Sequence, residues 1–181
     1  MSIVTRTGDE GTTGLMYNRR VSKSHPRVEA CGSVDELNAA LGMARAFSPQ
    51  KFIQDILLAT QKDLVILMGE LATELDDLPR YRADGFSLVS REHSLRLEDC
   101  VREIEAQAVT YKGWATPGAT TSSAAIDLAR ATCRRAERRV CALRDAGQIQ
   151  NPEVIIYLNR LADLLWLLAR WSEVNAPPGT D

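Results

Sequence analysis

Apolar residues recur along this chain at helical spacing, and five long segments stand out. Leu37, Leu41 and Ala44 share one face of a first helix. Its predicted start is Ser33, because Ser33-Val34-Asp35-Glu36 reads as a capping box and ends an irregular stretch. Ile53, Leu57, Leu64, Leu67, Met68 and Leu71 predict a second helix to about Leu75, capped by Ser48 with Pro49 at its first position. Asp76 to Val89 reads as a polar loop. Ser90 opens a third helix whose core side is Leu95, Leu97, Val101 and Ile104. After a second loop, Thr110 to Thr120, a fourth helix runs from about Ser122 to Ala146 and stops before Gly147. Asn151-Pro152 caps a fifth, to about Val174, apolar nearly all round between Tyr157 and Trp171. No period-two strand pattern appears beyond the N-terminal few residues. The expectation is an all-α, single-domain five-helix bundle over 33–174, with an N-terminal loop at 1–32 and a short tail at 175–181.

The fourth helix carries more than a core stripe. Ala125, Ala129, Cys133, Ala136, Val140 and Leu143 form its apolar side. With Arg130 at zero, Arg134 lies at about 40°, Arg138 at about 80° and Glu137 at about −20°. Arg135 and Arg139 point away, toward water. A solvated face laced with ion pairs is the plain explanation of such a strip. Yet only four of the 22 basic residues are lysines, although lysine would serve a solvated face equally well. Arginine offers a rigid fork matched to phosphate and carboxylate oxygens.

A second cationic feature lies at the other end of the chain. Thr5 to Gly14 packs three glycines and four threonines into ten positions. Glycines let backbone N–H groups converge and hydroxyls add donors, as an anion cradle requires. Arg6, Arg19, Arg20 and Lys23 supply charge nearby. This is no P-loop, and a tail with incidental Gly and Thr is the alternative. On the fifth helix, Asn159, Asp163, Trp166 and Arg170 share one face. An internal network with the fourth helix accounts for Asp163 and Arg170, while Asn159 is equally suited to a ligand.

Composition narrows the function classes. At 181 residues, with 45% hydrophobic and 25% charged residues, this is an ordinary soluble domain. The net charge of −2 gives no field favouring nucleic acid. Cys31, Cys100, Cys133 and Cys141 lack zinc or redox spacing and read as reduced thiols. Two histidines make a multi-histidine metal site unexpected, so no protein metal ligands are assigned. No segment reads as a signal peptide or membrane span, and a cytoplasmic location is expected.

Three blocks together resemble the PduO-type corrinoid adenosyltransferases: TRTGDEGTTGL with VSK at 21–23; RVEACGSVDELNAALG at 27–42; and PGATTSSAAIDLARATCRRAERRV with YLNRLADLLW. The resemblance implies a homotrimer of ferritin-like five-helix bundles, each with its N-terminal loop folded over the active site. Such enzymes transfer the 5′-deoxyadenosyl group of ATP to cob(I)alamin and release triphosphate, with Mg²⁺ on the phosphates. ATP-binding roles pass to Thr5, Arg6, Thr7, Gly8, Thr13 and Lys23, and to Arg134, Glu137, Arg138 and Asn159. Arg130 is expected to pair with Asp35 of the neighbouring subunit. Trp114, sixteen residues before Arg130, takes the place of the aromatic on the corrin's lower face, although a local hydrophobic anchor is the other reading of that residue. Further implied partners are a reductase and an adenosylcobalamin-dependent acceptor enzyme.

Three positions depart from the family. Arg6 replaces its usual lysine, Trp114 to Ala119 replaces F-x-x-P-G-G, and Asp127 stands where histidine is usual. Two other functions fit parts of the sequence: an ATP-dependent sensor or corrinoid carrier without turnover, and a helical adaptor whose arginines meet an acidic protein.

Overall fold

A computed structural model describes residue 4, residues 6–107, residue 109 and residues 114–176. Among these residues there are six α-helices, not five: α1 (Pro26–Phe47), α2 (Lys51–Leu71), α3 (Leu78–Ala83), α4 (Arg91–Glu105), α5 (Thr121–Asp145) and α6 (Glu153–Val174). The extra one, α3, is a single short helix inside the expected polar loop. A small antiparallel ribbon precedes them, β1 (Thr12–Gly14) and β2 (Arg20–Ser22), with Thr13 opposite Val21.

Local chemistry explains where the helices begin. α1 starts at Pro26, well before Ser33. Proline brings a φ suited to the first turn, and the His25 side chain accepts from Arg27 N–H at 3.2 Å. Ser33 therefore lies inside the helix, its hydroxyl donating to the Glu29 carbonyl at 2.9 Å. Asp35, expected in a first turn, sits exposed in mid-helix. Ser48 does not cap α2 but closes α1, donating to the Ala44 carbonyl at 2.7 Å. α2 ends at Leu71, short of Leu75. The later boundaries follow expectation. Ser90 and His93 form the capping box of α4, Thr120 accepts from Ser123 N–H at 3.0 Å before α5, and Gly147 takes φ 70° after it.

α1 packs against α2 and α5, α5 against α6, and α6 against α4, so α5 lies between two flanking helices. The core they enclose includes Leu37, Leu41, Leu57, Leu64, Ile126, Val140, Leu158 and Leu165. Two buried polar groups tie its elements together. Asp63 accepts from Arg96 at 2.7 Å and from the Tyr157 hydroxyl at 3.1 Å, joining α2, α4 and α6. Arg27 is buried and donates to the carbonyls of Leu71, Thr73 and Gln148. All four cysteines are free; Cys133 is buried and directs its thiol at the Leu158 carbonyl, 3.3 Å away. No helix among the described residues is long and apolar enough to cross a membrane.

Candidate functional site

The arginines of α5 divide into two groups. Arg130 donates to Asp127 at 2.9 Å, Arg144 pairs with Asp145, and Arg135 and Arg139 bridge to Glu36 and Glu29 of α1. The last two face water, as expected, and α1 lies close enough to offer each a carboxylate as well. Arg134 and Arg138 are exposed and have no ion pair among the described residues. Between them, Glu137 accepts from Asn159 Nδ2 of α6 at 3.2 Å. Two uncommitted guanidinium groups, a carboxylate and an amide thus line the surface where α5 meets α6.

One turn nearer the start of α5 lies a buried charge cluster. Asp127 is 4% exposed and takes Arg130 on one oxygen and Arg170 of α6 on the other, the latter at 2.6 Å. Arg170 also donates to Glu173 at 2.8 Å. Sequence reasoning put Arg170 in an internal network but did not single out Asp127 as its centre. Their separation of 43 residues left no local signal. Asp163 departs from expectation: it is exposed at a groove of about 540 Å³ lined also by Glu98, Arg102, Arg160 and Trp166.

The N-terminal residues form a separate cationic group. Arg20 donates to the Thr7 carbonyl at 2.8 Å and to the Thr12 hydroxyl. Lys23 N–H donates to the Gly11 carbonyl at 2.9 Å. The Lys23 ammonium lies over Gly8, where a Cβ would come within 3.1 Å of it. Glycine at position 8 therefore keeps space beside this cation. Arg6 is exposed with a positive φ of 57°, and Thr13 sits in β1. Thr5 lies outside the described residues. Arg19 and Arg20, counted as local charge in the sequence, are both committed to protein acceptors.

No hydrogen bond or ion pair among the described residues joins Arg6, Gly8, Thr13 or Lys23 to Arg134, Glu137, Arg138 or Asn159. Asp35 likewise has no described ion pair, and Arg130 turns to Asp127 within the chain. Trp114 is 92% exposed, so it does not anchor its loop on this chain's own core. Among the described residues there is no group of three His, Cys, Asp or Glu side chains able to hold a metal.

A sequence model of the cobalamin adenosyltransferase family matches residues 3–172. The chain belongs to that family. The corrinoid adenosyltransferase PduO of Salmonella typhimurium LT2 is 37% identical over 178 residues, covering 97% of this chain and 51% of that protein. The corrinoid adenosyltransferase of Mycobacterium leprae is 37% identical over 174 residues, with 93% and 89% covered. The chain thus spans about half the length of the PduO relatives and most of the mycobacterial one. Among solved structures, a variant PduO-type ATP:corrinoid adenosyltransferase from Lactobacillus reuteri, complexed with cobalamin and ATP, superposes with a TM-score of 0.84. It is 30% identical and covers 96% of this chain, which covers 94% of it. The cobalamin adenosyltransferase fold therefore extends over nearly the whole sequence.

Proposed function

We propose that this chain is an ATP:corrinoid adenosyltransferase working as a homotrimer, with each active site shared between neighbouring subunits. One observation carries the reading: among the described residues, α5 pairs Arg130, Arg135, Arg139 and Arg144 with carboxylates and leaves Arg134 and Arg138 available. Arginines left without a protein partner beside a polar carboxylate–amide pair suit a polyanionic ligand. The N-terminal group of Gly8 and Lys23 suits the same chemistry. The two groups lack a described link within one chain, so a second copy is the natural way for one ATP to meet both.

In the reaction, the electron pair of cobalt(I) attacks C5′ of ATP. The C5′–O bond breaks, and triphosphate leaves with the bonding electrons. Cobalt is itself the nucleophile, so no general base is needed. The protein's task is to orient C5′ and to stabilise the charge gathering on the leaving group. Arg134, Arg138, Arg6 and Lys23 serve that charge, with Thr5, Thr7, Gly8 and Thr13 shaping the loop. Glu137 and Asn159 fix the edge of the nucleotide site. Mg²⁺ carried in with the nucleotide would be held chiefly by phosphate oxygens and water, and Glu137 would be the carboxylate available to assist. Asp127 holds Arg130 by Nε, leaving the rest of the fork for Asp35 of the next subunit. Trp114 offers an apolar wall without a cobalt ligand for the lower face of the corrin.

The test is direct. Protein, ATP, Mg²⁺ and chemically reduced cobalamin are mixed, and absorbance follows carbon–cobalt bond formation. Turnover with stoichiometric triphosphate supports the enzyme. ATP binding without turnover would select a sensor or carrier, and neither would leave a helical adaptor.

A further inference from the structure

The turn between β1 and β2 is strained. Tyr17 and Asn18, neither of them glycine, both adopt left-handed backbone, with φ of 57° and 60°. Paired left-handed residues are the form of a tight hairpin turn, which favours glycine or asparagine, so the strain falls on Tyr17. A ribbon of three residues per strand cannot enforce it alone, because isolated two-stranded hairpins are marginal in water.

The enforcing contacts come from the α2–α3 corner. Met16 N–H donates to the Ala72 carbonyl at 2.9 Å. Arg19 grips Asp77 with two hydrogen bonds, 2.8 and 3.1 Å, on a carboxylate that is only 13% exposed. The Tyr17 hydroxyl donates to Asp84 at 2.8 Å, and the Arg80 guanidinium lies 4.1 Å from the centre of the Tyr17 ring. Asp77, Arg80 and Asp84 stand before, within and after α3, so the whole short helix serves as a dock. It is itself seated by Tyr81, buried against Gly69 of α2.

The other end of the ribbon carries the Gly8–Lys23 pair, tied on by Arg20 to Thr7 and by Lys23 to Gly11. We infer that Tyr17, Arg19, Asp77, Arg80 and Asp84 form a clamp that positions the N-terminal phosphate loop. None of these residues belongs to the proposed ATP-binding set; they fix where the loop's donors stand. An exposed ion pair contributes little by itself. Here a two-pronged pair, a phenol, a cation–π contact and a backbone bond act on one turn. The inference rests on the proposed role of that loop in holding triphosphate.

The experiment compares Arg19→Asp, Asp77→Arg, their double swap, Tyr17→Phe and Lys23→Ala in the full chain. Two quantities are read: the kinetic constants for ATP at saturating reduced cobalamin, and amide exchange over residues 12–22. The single charge changes should raise KM for ATP by roughly fivefold, the weight of about 1 kcal/mol, with kcat within about twofold. They should also speed exchange, and the swap should recover most of both losses. Tyr17→Phe should give a smaller change in the same direction. A swap as impaired as the singles overturns the contact. Faster exchange with an unchanged KM overturns positioning. If Lys23→Ala raises KM while Arg19→Asp does not, only the clamp fails; if neither does, the phosphate-loop reading fails with it.

Discussion

Arg134 and Arg135 are neighbours in sequence with different surroundings. Arg135 is bound to Glu36, and Arg134 has no described partner. If Arg134 meets phosphate, Arg134→Ala should weaken ATP binding by about 1.5–3 kcal/mol, the range of a charged hydrogen bond. Arg135→Ala loses an exposed ion pair and should cost less than about 1 kcal/mol of stability, with little effect on calorimetric ATP affinity. Equal affinity losses would contradict this division of the helix. The strip itself was legible from 3.6-residue periodicity. Which arginines are occupied was not, because that depends on carboxylates of α1 about a hundred positions away. Trp114 makes a similar point. Its exposure of 92% removes the local-anchor reading, which sequence could not decide. Trp114→Ala should leave ATP affinity unchanged and slow transfer by roughly tenfold or more, and Trp114→Phe should keep most activity. Spectra of bound cob(II)alamin should lose their four-coordinate fraction in the alanine variant alone. Retention of both that fraction and turnover would release Trp114 from any corrinoid role.

Between elements, the α2–α3 contact is the tightest test of packing. A Cβ on Gly69 would lie 2.2 Å from the Tyr81 hydroxyl. Helix propensity favours alanine over glycine by about 1 kcal/mol, whereas overpacking costs about 1–3 kcal/mol. Gly69→Ala should therefore lower the midpoint of denaturant unfolding, and Tyr81→Phe in that background should recover part of the loss. No recovery would place the strain elsewhere. The clamp on the ribbon has its own pH dependence. The Arg19 hydrogen bonds hold the Asp77 carboxyl below its usual range. A lowered folded-state pKa stabilises above the unfolded value and loses that contribution as pH falls through the folded one. Ribbon exchange, corrected for intrinsic rates, should be level from neutrality to about pH 5 and quicken below about pH 4, and Asp77→Asn should abolish the step. The helix starts show why such elements were only partly readable. Ser33 to Glu36 carries a genuine capping pattern, yet Pro26 begins the helix first, and mid-helix Ser33 bonds backward to Glu29. α3 was missed because six residues give too little periodicity, and it is seated by one buried side chain, Tyr81, rather than by a stripe of its own.

For the whole molecule, assembly decides whether the two cationic groups can serve one ligand. Light scattering with ATP at micromolar concentration should give three times the chain mass of 20.0 kDa, and a monomer would sink the shared site. The pairing of Asp35→Arg with Arg130→Asp should restore part of what each change removes; additive losses would argue against contact. Recovery should be incomplete, because a carboxylate at position 130 would also face buried Asp127. The buried thiol of Cys133 has a different consequence for the molecule as a whole. Burial in the core drives its pKa far up, while Cys31, Cys100 and Cys141 are partly exposed. A thiol reagent can reach Cys133 only when α5 and α6 part. Its labelling is therefore a clock for excursions of the folded chain, and any ligand that bridges Arg134 and Asn159 must slow that clock by the share of its binding energy lost when the two helices separate.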